Sequence, residues 1–271
     1  MVYQFEFEPD QITFSKKNLM ACAQASKLAY ADDGKGDLAI RNTLKEWGFT
    51  EDPTFLEFKH DFIDTRGFVV SNDKMILVAF RGTKSLDNWI TDFTMNLVDC
   101  PALGAKVKVD EGFINALKPQ LDNLRGAVKK RQDNRQSLWF TGHSLGAALS
   151  TLAAASLWKG DNLEFQGLYT FGSPRVVDED FADEFSKTFG DRTFRFVNAG
   201  DIVPHKPKKG YKHVDKFNYF DDKGQYRNKL TEADVPSYDV ALVWADAMVG
   251  KIAALQAHHM DTYIQNIQKI L

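Results

Sequence analysis

Apolar positions near the start of the chain recur at helical spacing. Leu19, Cys22, Ala23 and Tyr30 fall on roughly one face of a segment that Ser15 can cap, and a second helix spans Leu38 to Trp47 and stops at Gly48. The pattern then shortens to strand-like runs near Phe55 to Phe62, Gly67 to Val70 and Met75 to Phe80, with Ser71-Asn72-Asp73-Lys74 as the turn between the last two, which predicts an antiparallel start. From Phe113 onward helices and strands alternate. Helices are expected over Phe113–Arg131, Ala147–Trp158 and Asp178–Phe189, and strands over Leu138–Thr141, Glu164–Phe171 and Thr193–Asn198. Alternation of that kind implies parallel strands joined by crossover helices. A hairpin around Asp221 to Gly224 and two terminal helices, near Val240 to Met248 and Met260 to Ile270, complete an α/β architecture: a mixed, mostly parallel sheet flanked by helices.

Composition narrows this picture. With 271 residues and no repeat or long Pro/Gly/Ser linker, the chain reads as a single domain over 1–271. Its formal charge of −3 does not suggest nucleic acid as a partner. The segment Met1 to Asp10 has acids where a secretory signal has lysines, and it lacks an apolar core. No Sec signal is expected, which leaves a cytoplasmic location or export by a route without a cleaved signal. Residues 240–255 are the most apolar long stretch, but Asp246, Gly250 and Lys251 interrupt them, so no transmembrane segment is expected. Cys22 and Cys100 read as packed free thiols rather than a disulfide framework.

The candidate chemistry centres on Gly142-His143-Ser144-Leu145-Gly146, which follows the strand Leu138–Thr141 and precedes an alanine-rich helix. A bare Gly-x-Ser-x-Gly occurs by chance in roughly one chain in ten of this length, so its strand-to-helix context carries the argument. A sharp turn there holds a serine hydroxyl out beside a base. In such hydrolases the acid and then the histidine follow the serine. Asp178, Glu179, Asp180, Asp183 and Glu184 belong to a helix start and its solvated face, whereas Asp201 follows the strand Thr193–Asn198 across a tight turn. Its bland alternative is a turn aspartate bonded to its own backbone. His205 and His213 read as structural or surface residues. His258 and His259 open the last expected helix, and spacing does not choose between them. The N–H of Leu145 supplies one oxyanion donor, and Thr83, after the strand Met75–Phe80, supplies a second. Beyond it Leu86, Trp89, Ile90 and Phe93 recur at helical spacing, either as the buried stripe of a surface helix or as the apolar face of a lid.

The blocks Phe80 to Asp92, Phe140 to Ala147, Thr170 to Arg175, Arg195 to Pro204 and His258 to Tyr263, in this order over residues 75 to 263, resemble the successive signatures of the class 3 lipases, a family of the α/β-hydrolase superfamily. The resemblance implies an α/β-hydrolase fold with Ser144 as nucleophile and Asp201 as acid. Its histidine precedes a Leu or Met by two residues and a Tyr by five, which selects His258. It further implies Thr83 and Leu145 as the oxyanion hole, Asp92 holding the Thr83 hydroxyl, a lid over about 84–95, and no metal or organic cofactor. The implied activity is that of a lipase cleaving acyl esters of glycerolipids, triacylglycerol-type, at a lipid–water interface. A phospholipase A1 or galactolipase and a short-chain or feruloyl-type esterase are its rivals. An inactive hydrolase-like interaction protein is the reading from another class, and the filled triad positions argue against it. Two departures stand out. The chain has Asp110-Glu111-Gly112-Phe113 where the family usually has His before Gly-Phe, and it carries a basic run, His205-Lys206-Pro207-Lys208-Lys209-Gly210, after Asp201. That run reads either as a solvated loop or as an attractor of anionic head groups.

Overall fold

The structure is a computed structural model and describes residues 4–31, 37–60, 63–83, 96–132, 135–214, 216–227, 229–235 and 247–271. The antiparallel start is present as β1 (Thr54–His60), β2 (Ile63–Ser71) and β3 (Met75–Phe80). A short ribbon that the pattern did not announce, β4 (Leu97–Asp99) with β5 (Lys108–Asp110), lies apart from the main sheet. Three residues per strand are too few for a period to register. The alternating part follows as α3 (Glu111–Arg131), β6 (Ser137–His143), α4 (Leu145–Asp161), β7 (Gly167–Phe171), α5 (Glu179–Phe189), β8 (Thr193–Asn198) and β9 (Lys216–Phe220), preceded by the amino-terminal helices α1 (Lys16–Leu28) and α2 (Leu38–Glu46). β10 (Tyr226–Arg227), α6 (Ala247–His258) and α7 (Met260–Gln268) end the described chain.

Eight strands form one sheet in the order β1-β2-β3-β6-β7-β8-β9-β10. The pairs from β3 to β9 are parallel, and the outer pairs, two at one end (β1–β2 and β2–β3) and one at the other (β9–β10), are antiparallel. This is the mixed, mostly parallel sheet that the pattern predicts and the α/β-hydrolase arrangement that the resemblance implies. Side-chain alternation sends Ile76, Val78 and Phe140 to a core beneath α3, α4 and α5, and Leu77, Trp139, Phe194 and Phe196 to a second core beneath α1, α2 and α7. Every residue of α4 from Leu145 to Leu157 is buried, so this helix is enclosed on all sides, with the hydroxyls of Ser150 and Thr151 bonded to backbone carbonyls. Truncating a leucine such as Leu149 there costs about 2–5 kcal/mol.

Local chemistry sets the ends of the elements. The Ser15 hydroxyl accepts from the Asn18 N–H at 3.2 Å to start α1, and the Asp178 carboxylate accepts from the Phe181 N–H at 2.9 Å to start α5. Asp110 caps α3 by accepting from the Phe113 N–H at 3.2 Å. Its other oxygen accepts the Tyr211 hydroxyl at 2.9 Å, so the departure from the family pattern makes a satisfied contact behind the site. Two differences from the expected elements matter below. α4 begins at Leu145, directly after the serine, and His258 closes α6 instead of opening the last helix, which His259 caps. Most of the helix expected near Val240 lies outside the described residues. Cys22 and Cys100 are both buried and free.

Candidate active site

Parallel strands deliver their carboxyl ends to one edge of the sheet, and the loops there collect the polar groups of an open α/β fold. β3 ends in Arg81-Gly82-Thr83, β6 in the serine turn, and β8 in the loop to Asp201. At Ser144 the backbone adopts φ 59° and ψ −130°, a strained conformation for a residue with a side chain. The turn is tight enough that a methyl group on Gly142 would meet the Gly146 carbonyl, and one on Gly146 the carbonyls of Phe80 and Arg81. Glycines on both sides let the elbow seat against the end of β3. The Ser144 N–H then donates to the Phe171 carbonyl at 2.9 Å, fixing the turn to β7.

Ser144, His258 and Thr83 line one cavity of about 320 Å³. Asp201 is fully buried behind His258, whose Nδ1 lies 2.9 Å from both carboxylate oxygens. The Tyr263 hydroxyl donates to Oδ2 at 2.7 Å and the Val203 N–H to Oδ1 at 3.0 Å. Burial alone would raise the Asp201 carboxyl, but His258 and these donors outweigh it and hold it below the usual carboxylate range. The ionised Asp201 orients the imidazole with Nε2 turned away from it. That Nε2 and the Ser144 Oγ, the two atoms between which a proton would pass, are both buried and make no hydrogen bond. Such bonds are often long before substrate binds and tighten in the complex. Leu145, as the first residue of α4, has an N–H with no carbonyl to bond within its helix, which leaves it available at the serine.

Several polar residues that sequence reasoning did not assign hold these loops together. The Gly82 N–H donates to the Tyr30 hydroxyl at 2.8 Å, and that hydroxyl lies 2.7 Å from Nδ1 of His143. The Nε2 of His143 lies 2.6 Å from the carbonyl of His258. A carbonyl only accepts, so Nε2 carries the proton, Nδ1 is the acceptor, and Tyr30 donates to it. Burial is the main force that lowers His143 to about 3, with the neighbouring His258 adding to it, so the ring is neutral as this pattern requires. Thr65 also donates to the carbonyls of Arg81 and Gly82, at 3.3 Å for the latter. Asn198 donates to the Ala257 carbonyl at 2.8 Å, tying the end of β8 to the last turn of α6. His259 is exposed, unlike His258. His213 donates to the Pro204 carbonyl at 2.7 Å, away from the serine. The sequence carries one signal for this network, a histidine in an otherwise apolar elbow. Tyr30 and Thr65 carry none, because their partners are more than fifty residues or a strand away. Asp92 and the stripe of Leu86, Trp89, Ile90 and Phe93 lie outside the described residues. No group of residues suited to a metal ion occurs among the described residues, and no described helix is long and apolar enough to cross a membrane.

Residues 77–211, which contain Thr83, Ser144 and Asp201 but not His258, match the family described as lipase (class 3). Over 170 residues the chain is 35% identical to a secreted mono- and diacylglycerol lipase of Fusarium solani, covering 61% of this chain and 50% of that protein. Over 185 residues it is 33% identical to a lipase of Rhizomucor miehei, covering 65% and 50%. The chain spans about half the length of the curated relatives it matches. The crystal structure of a lipase from Rhizopus microsporus var. chinensis superposes with a TM-score of 0.61 at 26% identity, over 78% of this chain and 77% of that one. A triacylglycerol lipase whose catalytic centre is described as a serine protease triad does so with a TM-score of 0.61 at 28% identity, over 75% and 79%. With its strand order, its strained serine turn and this matched stretch in agreement, the chain belongs to the class 3 lipase family.

Proposed function

We propose that this protein is a serine carboxylic-ester hydrolase acting on acyl glycerolipids. The observation that carries the reading is His258, backed by the buried Asp201, sharing a cavity wall with Ser144 and Thr83. In the proposed reaction His258 Nε2 takes the hydroxyl proton as Ser144 Oγ attacks the ester carbonyl. The N–H groups of Thr83 and Leu145 receive the oxyanion, each stabilising the transition state by about 3 kcal/mol. The tetrahedral adduct collapses to an acyl-serine, and the alcohol leaves with the proton from His258. Water, deprotonated by the same nitrogen, then releases the fatty acid and restores the serine. Asp201 stays ionised throughout and stabilises the imidazolium.

Glycerolipids are the proposed substrate class because similar proteins are named mono- and diacylglycerol lipase and triacylglycerol lipase. Residues 84–95, with Leu86, Trp89, Ile90 and Phe93, are proposed as a lid that turns its apolar face to a lipid–water interface, and Asp92 as the support of the Thr83 hydroxyl, on sequence spacing and family resemblance. A single domain over 1–271 is proposed on the continuity of the sheet. The test is hydrolysis of p-nitrophenyl acyl esters, followed by tri- and diacylglycerol, phospholipid and galactolipid with and without an interface. Glycerolipid hydrolysis lost in a folded Ser144→Ala variant is the expected result, and an active Ser144→Ala variant overturns the mechanism.

A further inference from the structure

The basic run after Asp201 is not a loose solvated loop. Its Lys206 carbonyl accepts from the Arg175 N–H at 2.8 Å, and its Pro207 carbonyl accepts from Arg175 Nη1 at 2.9 Å. Lys212 bridges to Val177, which closes the loop onto the segment leading from β7 to α5. The result is a cavity of about 740 Å³, separate from the one that holds Ser144, with Arg175, Arg195, Lys208 and Lys212 around it and Glu179 as the one acid on its wall among the described residues.

Four cations converge here in a chain whose formal net charge is −3. Arg195 is 3% exposed and occupies the face of β8 opposite the core residues Phe194 and Phe196. Its guanidinium lies over the Phe217 ring, 5.1 Å from the centroid, a placement that holds the fork in one plane. His213 adds no charge, because burial first, and the Arg195 and Arg175 charges after it, hold it well below its usual range. Lys212 also pairs with Asp183 at 2.5 Å, but both groups are half exposed, and such pairs exchange readily with another anion. Concave walls of low polarizability on which cations outnumber acids concentrate field and draw in anions. Planar guanidinium groups match phosphate oxygens two at a time. The volume lies in the range of small-molecule sites, about 300–1,000 Å³, well above what a bare ion fills.

We propose that this cavity binds an organic phosphate, a phosphate ester whose oxygens meet Arg175, Arg195 and Lys208 while its organic part rests on Phe217. Two sources share that chemistry, a soluble phosphate ester and the head group of an anionic phospholipid. The experiment titrates the full chain calorimetrically with glycerol 3-phosphate and with inorganic phosphate, and sediments it with phosphatidylglycerol or phosphatidylcholine vesicles. Saturable binding of glycerol 3-phosphate assigns a soluble ligand, and capture on phosphatidylglycerol vesicles alone assigns a head group. Either must weaken about tenfold, or about 1.4 kcal/mol, in Lys208→Gln and further in Arg175→Gln/Lys208→Gln with unchanged melting. Lys208→Gln alters an exposed side chain, so the test survives a double variant that does not fold. Absence of binding to glycerol 3-phosphate and to phosphatidylglycerol vesicles, equal affinity for inorganic phosphate, or equal weakening by the pair Lys45→Gln/Lys74→Gln, on elements that do not line the cavity, overturns the proposal.

Discussion

The hydroxyl of Tyr30, two residues past the end of the first helix, donates to Nδ1 of His143 at 2.7 Å and accepts the Gly82 N–H at 2.8 Å. One oxygen therefore joins the loop that carries Thr83 to the elbow that carries Ser144. Through Nε2 of His143 the same chain reaches the backbone of His258. Three of the loops that must agree on one geometry are bonded to one another along the cavity wall, which Tyr30 and His143 help to line, and none of those bonds uses an atom assigned to the chemistry.

Tyr30→Phe removes the hydroxyl and leaves the Gly82 N–H and His143 Nδ1 without partners. A net hydrogen bond is worth about 1 kcal/mol and an unsatisfied buried group about 1–3 kcal/mol. Loosening of the Thr83 loop predicts a fall in kcat of about tenfold with KM little changed, measured on a soluble short-chain ester. A rise in KM with kcat intact would place Tyr30 in substrate binding instead.

Acid sensitivity should trace in part to His143. Its folded value, lowered to about 3, lies below the unfolded 6.5, so between those limits the unfolded chain binds a proton that the folded one refuses. Stability is full above pH 6.5 and falls as pH drops toward 3, by up to about 1.4 kcal/mol per pH unit for this group. Urea unfolding at pH 7 and pH 5 measures the slope. His143→Gln should flatten it while lowering stability at pH 7.

Asp110 should act in the opposite sense. Burial pushes its carboxyl up to about 6, against the cap bond from Phe113 and the Tyr211 hydroxyl. The folded state then holds a proton that the unfolded state has lost, so this contribution is present below about pH 4 and disappears as pH rises through 6. Asp110→Asn keeps a capping oxygen and cannot ionise. It should match the parent near pH 4.5 and exceed it by about 1 kcal/mol at pH 8 in thermal or urea unfolding. Equal curves at both pH values would show that the carboxyl is neutral to folding.

Tyr263→Phe takes one donor from Asp201 and the acceptor from the Asn198 N–H. With less to hold its charge, Asp201 orients His258 less firmly, and the acidic limb of the kcat/KM profile should move upward. A loss of about three- to thirtyfold at pH 7, recovered in part at higher pH, is the expected pattern. A pH-independent loss would point to misplacement of α7 instead.

Much of this arrangement is legible from the chain itself, for reasons that differ by element. Parallel strands such as β6 and β8 are short apolar runs ending in turn residues, and buried strands announce themselves that way. Ser144 and Asp201 sit directly at such endings. His258 is harder, because the sequence pattern ends its helix at Met248, whereas the helix continues through Gly250 to His258. Tyr30 and Thr65 were not legible at all. Their value depends on which loop the fold brings beside them, and nothing in a local pattern records that. Asp110 looked like a break in family packing, yet its bond to Tyr211 spans 101 residues. The basic run after Asp201 could be weighed only once Arg175 was seen holding its carbonyls.

His143 occupies the variable position of Gly-x-Ser-x-Gly, but its two ring nitrogens are spoken for on opposite edges. A leucine or alanine there would leave the Tyr30 hydroxyl without an acceptor and the His258 carbonyl without a donor, a half-satisfied network that is worse than none. Anyone transplanting this elbow into another scaffold has to move five positions and also a tyrosine from the turn after a helix distant in the chain. The portable unit of this active site is therefore not a motif along the chain but a set of matched donors and acceptors, and it travels whole or fails.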